Sequence, residues 1–186
     1  GGAFHVSNTT VLKNHARPAA SNSSALNKQV GKLSRGKNSL FKKLEVNSLV
    51  KIGKSPVHAW GLFASQKIRK GTQVIEYIGE LTRLILAEKR ENLYENGGLD
   101  SSYMFRVGAN LIDATISGGP ARYINHSCNP NCAPKQHVKE RKIFIYAIRD
   151  IEEGEELFYD YKFDFEGEEK RVSCCCGAYN CRGYMN

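Results

Sequence analysis

The sequence predicts a mostly-β domain of small, short-stranded sheets with one helix, preceded by a flexible basic arm. Three observations carry this. From Val50 onward the apolar residues fall in runs of only four to seven, rich in Ile, Val, Phe and Tyr and broken by turn residues. Only one stretch, 82–94, shows a helical apolar period. The charge is divided: residues 1–44 carry eight cations (Lys13, Arg17, Lys28, Lys32, Arg35, Lys37, Lys42 and Lys43) and no acid, which leaves 19 cations and 19 anions for the remainder of a chain of net charge +8.

Taken in order, residues 1–45 are rich in Ser, Asn, Ala and Lys without a sustained period, and read as a flexible arm. Residues 40–50 read as a short helix or strand at the domain entry. Strands are expected at 49–52, 61–64, 74–78, 103–107, 111–114 and 142–148, with turns at Gly53-Lys54-Ser55-Pro56, Arg69-Lys70-Gly71, Gly108-Ala109-Asn110 and Glu152-Glu153-Gly154. The helix is expected over 82–94, with Thr82 as N-cap, Leu84, Leu86, Ala87 and Leu93 as its apolar stripe and Gly97-Gly98 as its stop. No run of 18 apolar residues occurs, so no membrane span is expected. The first ten residues lack the charged and apolar regions of a signal peptide. A neutral domain led by a basic arm suits weak contact with nucleic-acid phosphates or an acidic partner through the arm alone.

Six cysteines are present, four of them within eight residues at Cys174, Cys175, Cys176 and Cys181. Such clustering without an export signal favours metal binding in a reducing compartment over a disulfide framework. In an extended segment alternate side chains share a side, so Cys174 and Cys176 can hold one ion while Cys175 points elsewhere. Cys181 returns after a turn containing Gly177. A structural zinc takes four ligands, and Cys128 or Cys132 can supply the fourth. Glu155-Glu156-Leu157-Phe158-Tyr159-Asp160-Tyr161 adds a pair of phenols, each offering a flat apolar wall and one hydroxyl.

Gly61-Leu62-Phe63 after His58-Ala59-Trp60, Glu76-Tyr77-Ile78-Gly79-Glu80, Tyr103-Met104-Phe105-Arg106, Ile112-Asp113-Ala114-Thr115, Asn125-His126-Ser127-Cys128 and Glu156-Leu157-Phe158-Tyr159-Asp160-Tyr161 occur in the order found in SET domains. The thiol-rich end resembles the post-SET zinc segment. The chain most resembles the trithorax/COMPASS branch of histone H3 lysine methyltransferases, through Gly118-Gly119-Pro120-Ala121-Arg122-Tyr123 and Tyr161-Lys162-Phe163-Asp164-Phe165-Glu166 closest to the trithorax-related, mixed-lineage-leukaemia type. The resemblance implies a SET domain at 46–165 and a post-SET segment at 166–186, with small curved sheets around a pseudoknot in which the Asn125 and Tyr159 segments are threaded together.

It further implies methylation of a histone H3 tail lysine, the fourth-position one, from S-adenosylmethionine. Tyr161 takes the place of the catalytic tyrosine, Tyr103 and Phe105 that of channel walls, and Tyr159 that of the residue setting how many methyl groups fit, with monomethylation favoured. Ala59, Trp60, Tyr103, Asn125, His126 and the backbone of Cys175 match cofactor contacts. Cys128 joins Cys174, Cys176 and Cys181 around structural zinc. The family's partners are WD-repeat and SPRY-containing COMPASS-type subunits, its compartment the nucleus. Ala16-Arg17 resembles the Ala-Arg core of a WD-repeat docking motif. A catalytically weak SET module that only binds chromatin or partner subunits is the alternative the residues leave open.

Overall fold

The computed structural model describes residues 11–12, 47–99, 101–164 and 167–186. In chain order the strands are β1 (Val11–Leu12), β2 (Val50–Lys54), β3 (Trp60–Ala64), β4 (Gln73–Glu76), β5 (Glu80–Arg83), β6 (Met104–Val107), β7 (Asn110–Asp113), β8 (Asn125–His126), β9 (Cys132–His137), β10 (Lys142–Ala147) and β11 (Phe158–Tyr159). One α-helix, α1 (Ala87–Asn96), lies among the described residues. The fold is mostly β, as expected, and is divided into four small sheets: β1-β6-β7-β5, β4-β10-β9, β2-β3 and the parallel pair β11-β8. No helix among the described residues is long and apolar enough to cross a membrane.

β10 shows why such short runs suffice. Ile143, Ile145 and Ala147 alternate into the core while Phe144 and Tyr146 stay half-buried, the period of two that a strand requires. They join Leu62, Ile68, Val74, Phe105, Val107, Ile151 and Leu157 in one core against which all four sheets pack. Each fully buried aliphatic contributes about 1.5–3 kcal/mol relative to exposure, so the strands are held by shared packing more than by their own ladders.

The helix begins later than the sequence predicts. Glu80–Arg83 is a strand, with Leu81 opposite Ile112 and Thr82 opposite Leu111, followed by a 3-10 turn at Leu84–Leu86. Thr82 is therefore a ladder residue and caps nothing; the arginine before the turn and the leucine before α1 make no side-chain cap bond either. The expected apolar stripe is also corrected: Ala87 is buried, but Leu93 is 66% exposed. Pairing with β7 overrides the local helical period. At the other end the stop is where Gly97-Gly98 put it, with the Gly97 amide donating to the Leu93 carbonyl at 3.0 Å. Of the remaining expectations, Val11–Leu12 is a strand inside a stretch read as flexible, and the first seven residues of 40–50, the Ala16-Arg17 motif and the Phe165-Glu166 end of the Tyr161 motif lie outside the described residues.

A buried carboxylate fastens α1 to the sheet. Asp113, whose side chain is 1% exposed, accepts from Arg90 Nη1 at 2.8 Å and from the Tyr94 hydroxyl at 2.6 Å, and Arg90 also pairs with Glu80. Although burial opposes it, hydrogen bonds from Tyr94, Arg90 and Thr115 hold the Asp113 carboxyl below its usual range. Arg90→Ala removes the cation from a buried anion, and an unfolding midpoint equivalent to about 2–3 kcal/mol of lost stability is expected, less than a fully buried pair because Tyr94 remains. An unchanged denaturation midpoint would show that Tyr94 and Thr115 satisfy Asp113 without the guanidinium.

Candidate functional site

The site is built where β8 and β11 run parallel, with Phe158 opposite Asn125 and Tyr159 opposite His126. Two residues per strand make a weak ladder, and side chains extend it. Asn131, 1% exposed, donates to the Glu156 carbonyl at 2.7 Å and accepts from the Phe158 amide at 2.8 Å, so its amide substitutes for a missing strand neighbour. The Ser127 amide donates to the Tyr159 carbonyl at 3.3 Å. The Tyr161 amide donates to His126 Nδ1 at 3.1 Å, and the Tyr161 hydroxyl donates to the Ile124 carbonyl at 2.8 Å. Through these contacts the segment at 156–161 is fixed against the segment at 124–131 along its whole length.

On one side of this knot the aromatics gather. Tyr159 stacks on Phe105 with ring centroids 5.9 Å apart and lies 4.9 Å from the Tyr161 ring. Tyr77 meets Phe105 edge-on at 5.2 Å and Phe163 lies 5.3 Å from Tyr161. Tyr103 packs against the same cluster beneath Arg122, whose guanidinium is 5.9 Å from its ring. Burial, helped by the neighbouring phenols, raises Tyr77, Tyr159 and Tyr161 far above the ordinary phenol range, and burial raises Tyr103 too. Every one is a neutral hydroxyl at physiological pH. Such a wall can aim an amine by hydrogen bonding and exclude water, but it cannot take the amine's proton as a phenolate.

On the other side lies a polar cradle. Asn125 Nδ2 donates to the Trp60 carbonyl at 3.0 Å and to Glu156 Oε1 at 2.8 Å, and Ser55 donates to Glu156 Oε2 at 3.0 Å. Gly61 is required here, because a Cβ would stand 2.3 Å from Glu156 Oε1. Ala59 closes the preceding loop with φ 34°, and Trp60 presents a 45% exposed indole with Lys54 Nζ 4.0 Å from its ring. His126 is different from the rest. Burial lowers its pKa to about 4, Nδ1 accepts from Tyr161, and the proton on Nε2 points to Cys128 Sγ at 3.4 Å. Both ring nitrogens are thus occupied within the protein.

Cys128 Sγ lies 3.8 Å from Cys174 and 4.0 Å from Cys181, and the four sulfurs of Cys128, Cys174, Cys176 and Cys181 all fall within 4.8 Å of one another. Four thiolates about 2.3 Å from a tetrahedral zinc stand about 3.8 Å apart, so the residues fit that ion. Burial works the other way, yet amide donors from Cys128 and Ala178 and the neighbouring thiols lower Cys176 to about 6, preparing a thiolate. Cys132 is the residue left out: it is buried elsewhere, its thiol pushed up to about 12 by burial. Cys175 is exposed and outside the cluster. Arg182 then clamps the tail with two 2.8 Å bonds to Asp160, the residue between the two phenols.

The geometry therefore gathers Tyr103, Phe105, Tyr159 and Tyr161 into one aromatic group, Trp60 and Asn125 into a second, and the four metal-spaced thiols into a third. Three participants were missed: Glu156, Asn131 and Arg182. Glu156 stands directly before Leu157-Phe158-Tyr159, an unusual place for a charge, and that position is the signal for the partners that Asn125 and Ser55 supply. Asn131 and Arg182 carry no signal in their own neighbourhood, since their partners are distant in sequence.

Residues 59–162 match the family described as SET domain. "Histone-lysine N-methyltransferase, H3 lysine-4 specific" of Chaetomium globosum is 50% identical over 141 residues, covering 74% of this chain and 13% of that protein. The Saccharomyces cerevisiae protein of the same description gives 50% over 141 residues, again 74% and 13%. Human "Histone-lysine N-methyltransferase 2D" is 41% identical over 196 residues, covering 95% of this chain and 4% of that protein. The chain thus spans only a small part of each relative's length. Among solved structures, "ctPRC2 in an autoinhibited conformation bound to S-adenosylmethionine" is similar with a TM-score of 0.56 and 38% identity, covering 63% of this chain and 16% of that one.

Proposed function

The chain belongs to the SET-domain family, and from that premise we propose that it transfers a methyl group from S-adenosylmethionine to a lysine of the histone H3 tail, the fourth-position lysine that its fungal relatives are named for. The observation that carries this is the pairing of β8 with β11, which sets an aromatic wall (Tyr159, Tyr161, Phe105) against a polar cradle (Asn125, Trp60, Glu156). A methyl transfer of this kind needs two pockets meeting at one point.

The cofactor supplies an electrophilic methyl group on a sulfonium; everything else falls to the chain. A free lysine has a pKa of about 10.4, so exposing its lone pair at pH 7 costs about 4–5 kcal/mol. Burial among Tyr103, Phe105, Tyr159 and Tyr161 disfavours the ammonium form. As these phenols are neutral, none of them stores the proton, which leaves to solvent before transfer. The remaining work is alignment by hydroxyls and exclusion of water. Ala59, Trp60, Asn125, the His126 backbone and the Cys175 backbone form the donor side of this reading, within a SET domain at 46–165 and a post-SET segment at 166–186. A histone acceptor places the activity in the nucleus. COMPASS-type WD-repeat and SPRY subunits belong to the same reading, supported by the exposed apolar side chains Leu81 on β5, Ile85 in the 3-10 turn and Leu93 on α1.

Mass spectrometry of H3-tail peptides incubated with the chain and cofactor, with and without such subunits, tests the proposal. Methylation at the fourth lysine is expected, and no methylated H3 peptide under either condition would overturn it. The product should be mainly monomethyl, because the Tyr159 hydroxyl lies in the wall and restricts rotation of a methylated amine. Tyr159→Phe removes the hydrogen bond its hydroxyl would make to the target amine or to a water beside it, worth about 0.5–1.5 kcal/mol, which shifts the partition to di- and trimethyl product by about two- to tenfold. Identical product ratios at matched turnover would take that role away from Tyr159.

A further inference from the structure

In the sheet β1-β6-β7-β5, the outer edge of β6 would be free but for two residues of the chain's own leading arm. Val11 pairs with Phe105 and Leu12 with Met104, antiparallel. We propose that this edge is a docking edge for an extended basic peptide and that Val11–Leu12 occupies it in cis, so that the arm and the methyl-accepting peptide compete for one surface. The inference rests on the methyltransfer reading only for the identity of the competing peptide.

The edge is placed for that task. Residues two apart on a strand face the same side, so Tyr103 and Phe105 both look toward the aromatic wall, where Phe105 stacks on Tyr159. In an antiparallel pair, directly opposed residues project to the same face. A chain seated on β6 therefore presents its residues opposite Phe105 and Tyr103 on the side where the phenols stand. Main-chain pairing gives such a contact its affinity and leaves side-chain choice to the pocket, so the edge accepts sequences that differ.

The occupant fits by composition. Residues 1–44 hold eight cations and no acid, and Lys13 follows Leu12 directly. Two paired residues hold a separate peptide only at about millimolar concentration. Covalent attachment through residues 13–49 raises the arm's local concentration to the order of millimolar, enough for a short ladder to form while remaining displaceable.

The test compares the full chain with a Val11→Pro/Leu12→Pro variant, in which both backbone donors are lost and the ladder is sterically broken. Amide exchange at Met104–Val107 should quicken in the variant. Affinity for a fluorescent H3-tail peptide, read by anisotropy and hence independent of turnover, should rise about two- to fivefold. A millimolar synthetic peptide of residues 1–20 should reverse both changes, which also shows that the variant is folded. Equal exchange in the two chains would remove the arm from the edge, and quickened exchange with unchanged H3 affinity would show that the edge is not shared; either overturns the proposal. Absence of methylation with these binding results intact would count against the methyltransfer reading alone.

Discussion

Cys128→Ser should reduce zinc from one ion per chain to a small fraction of that, and with it should go the ordered C-terminal tail. Structural zinc in four-thiolate sites contributes about 10–16 kcal/mol of apparent binding free energy that is also folding free energy. Besides the thiols, the tail packs Val172 and Met185 against the core and makes a few hydrogen bonds. The Cys174 amide donates to the Gly183 carbonyl at 2.8 Å, the Met185 amide to the Val172 carbonyl at 2.9 Å, and Arg182 pairs with Asp160 in an exposed setting. Such contacts cannot fold roughly fifteen residues against a backbone cost of about 1–2 kcal/mol each. Metal analysis and amide exchange over 172–186 should both report the loss, and a chelator should reproduce it in the unaltered chain. Cys132→Ser, which alters the thiol outside the cluster, should keep its ion. Full zinc content in Cys128→Ser would reject the four-ligand assignment.

Tyr161→Phe should lower the single-turnover methylation rate by at least about 10²-fold while S-adenosylmethionine affinity stays within a few-fold. The change removes almost no volume. It removes the hydroxyl that donates to the buried Ile124 carbonyl at 2.8 Å, and leaving that acceptor alone costs about 1–3 kcal/mol. The ring is then held only by its packing on His126, Tyr159 and Phe163. A displacement of about 1 Å at a site whose work is alignment is enough for a loss of that order. Turnover at the unaltered rate, with partner subunits present, would sink the assignment.

The parts of the site legible in the sequence are those whose chemistry is local. The Cys174-Cys175-Cys176 spacing shows which thiols share a side, and Tyr-Asp-Tyr announces two phenols. Long-range contacts decide the rest. Thr82 reads as a helix cap until Leu111 of β7 claims it for a ladder. β9 goes unseen because Ala133-Pro134-Lys135-Gln136 resembles a loop; it is an edge strand, paired on one side by β10, where a proline is tolerated. β8 and β11 have two residues each, too few for any period, and exist because Asn131 and His126 bind across them. The choice of Cys128 over Cys132 could not be made from spacing, since both precede the tail thiols by a comparable distance; in the fold Cys132 is buried in the core, and the Cys128 sulfur stands with the tail thiols.

The parallel joining of β8 to β11 also imposes an order on time. Its two strands are far apart along the chain, and the thiol partners Cys128 and Cys174 are 46 positions apart. A chain growing from its N-terminus can complete the β2-β3 hairpin and the β6-β7 ladder early, but it holds an open seam where the aromatic wall and the polar cradle will meet until Tyr161 and then Cys181 have been made. Non-local closures of this kind are slow to form. This seam is therefore completed after the β2-β3 and β6-β7 ladders, and a chain interrupted before Tyr159 would leave β8 and its neighbours exposed as an unpaired edge open to association with other chains.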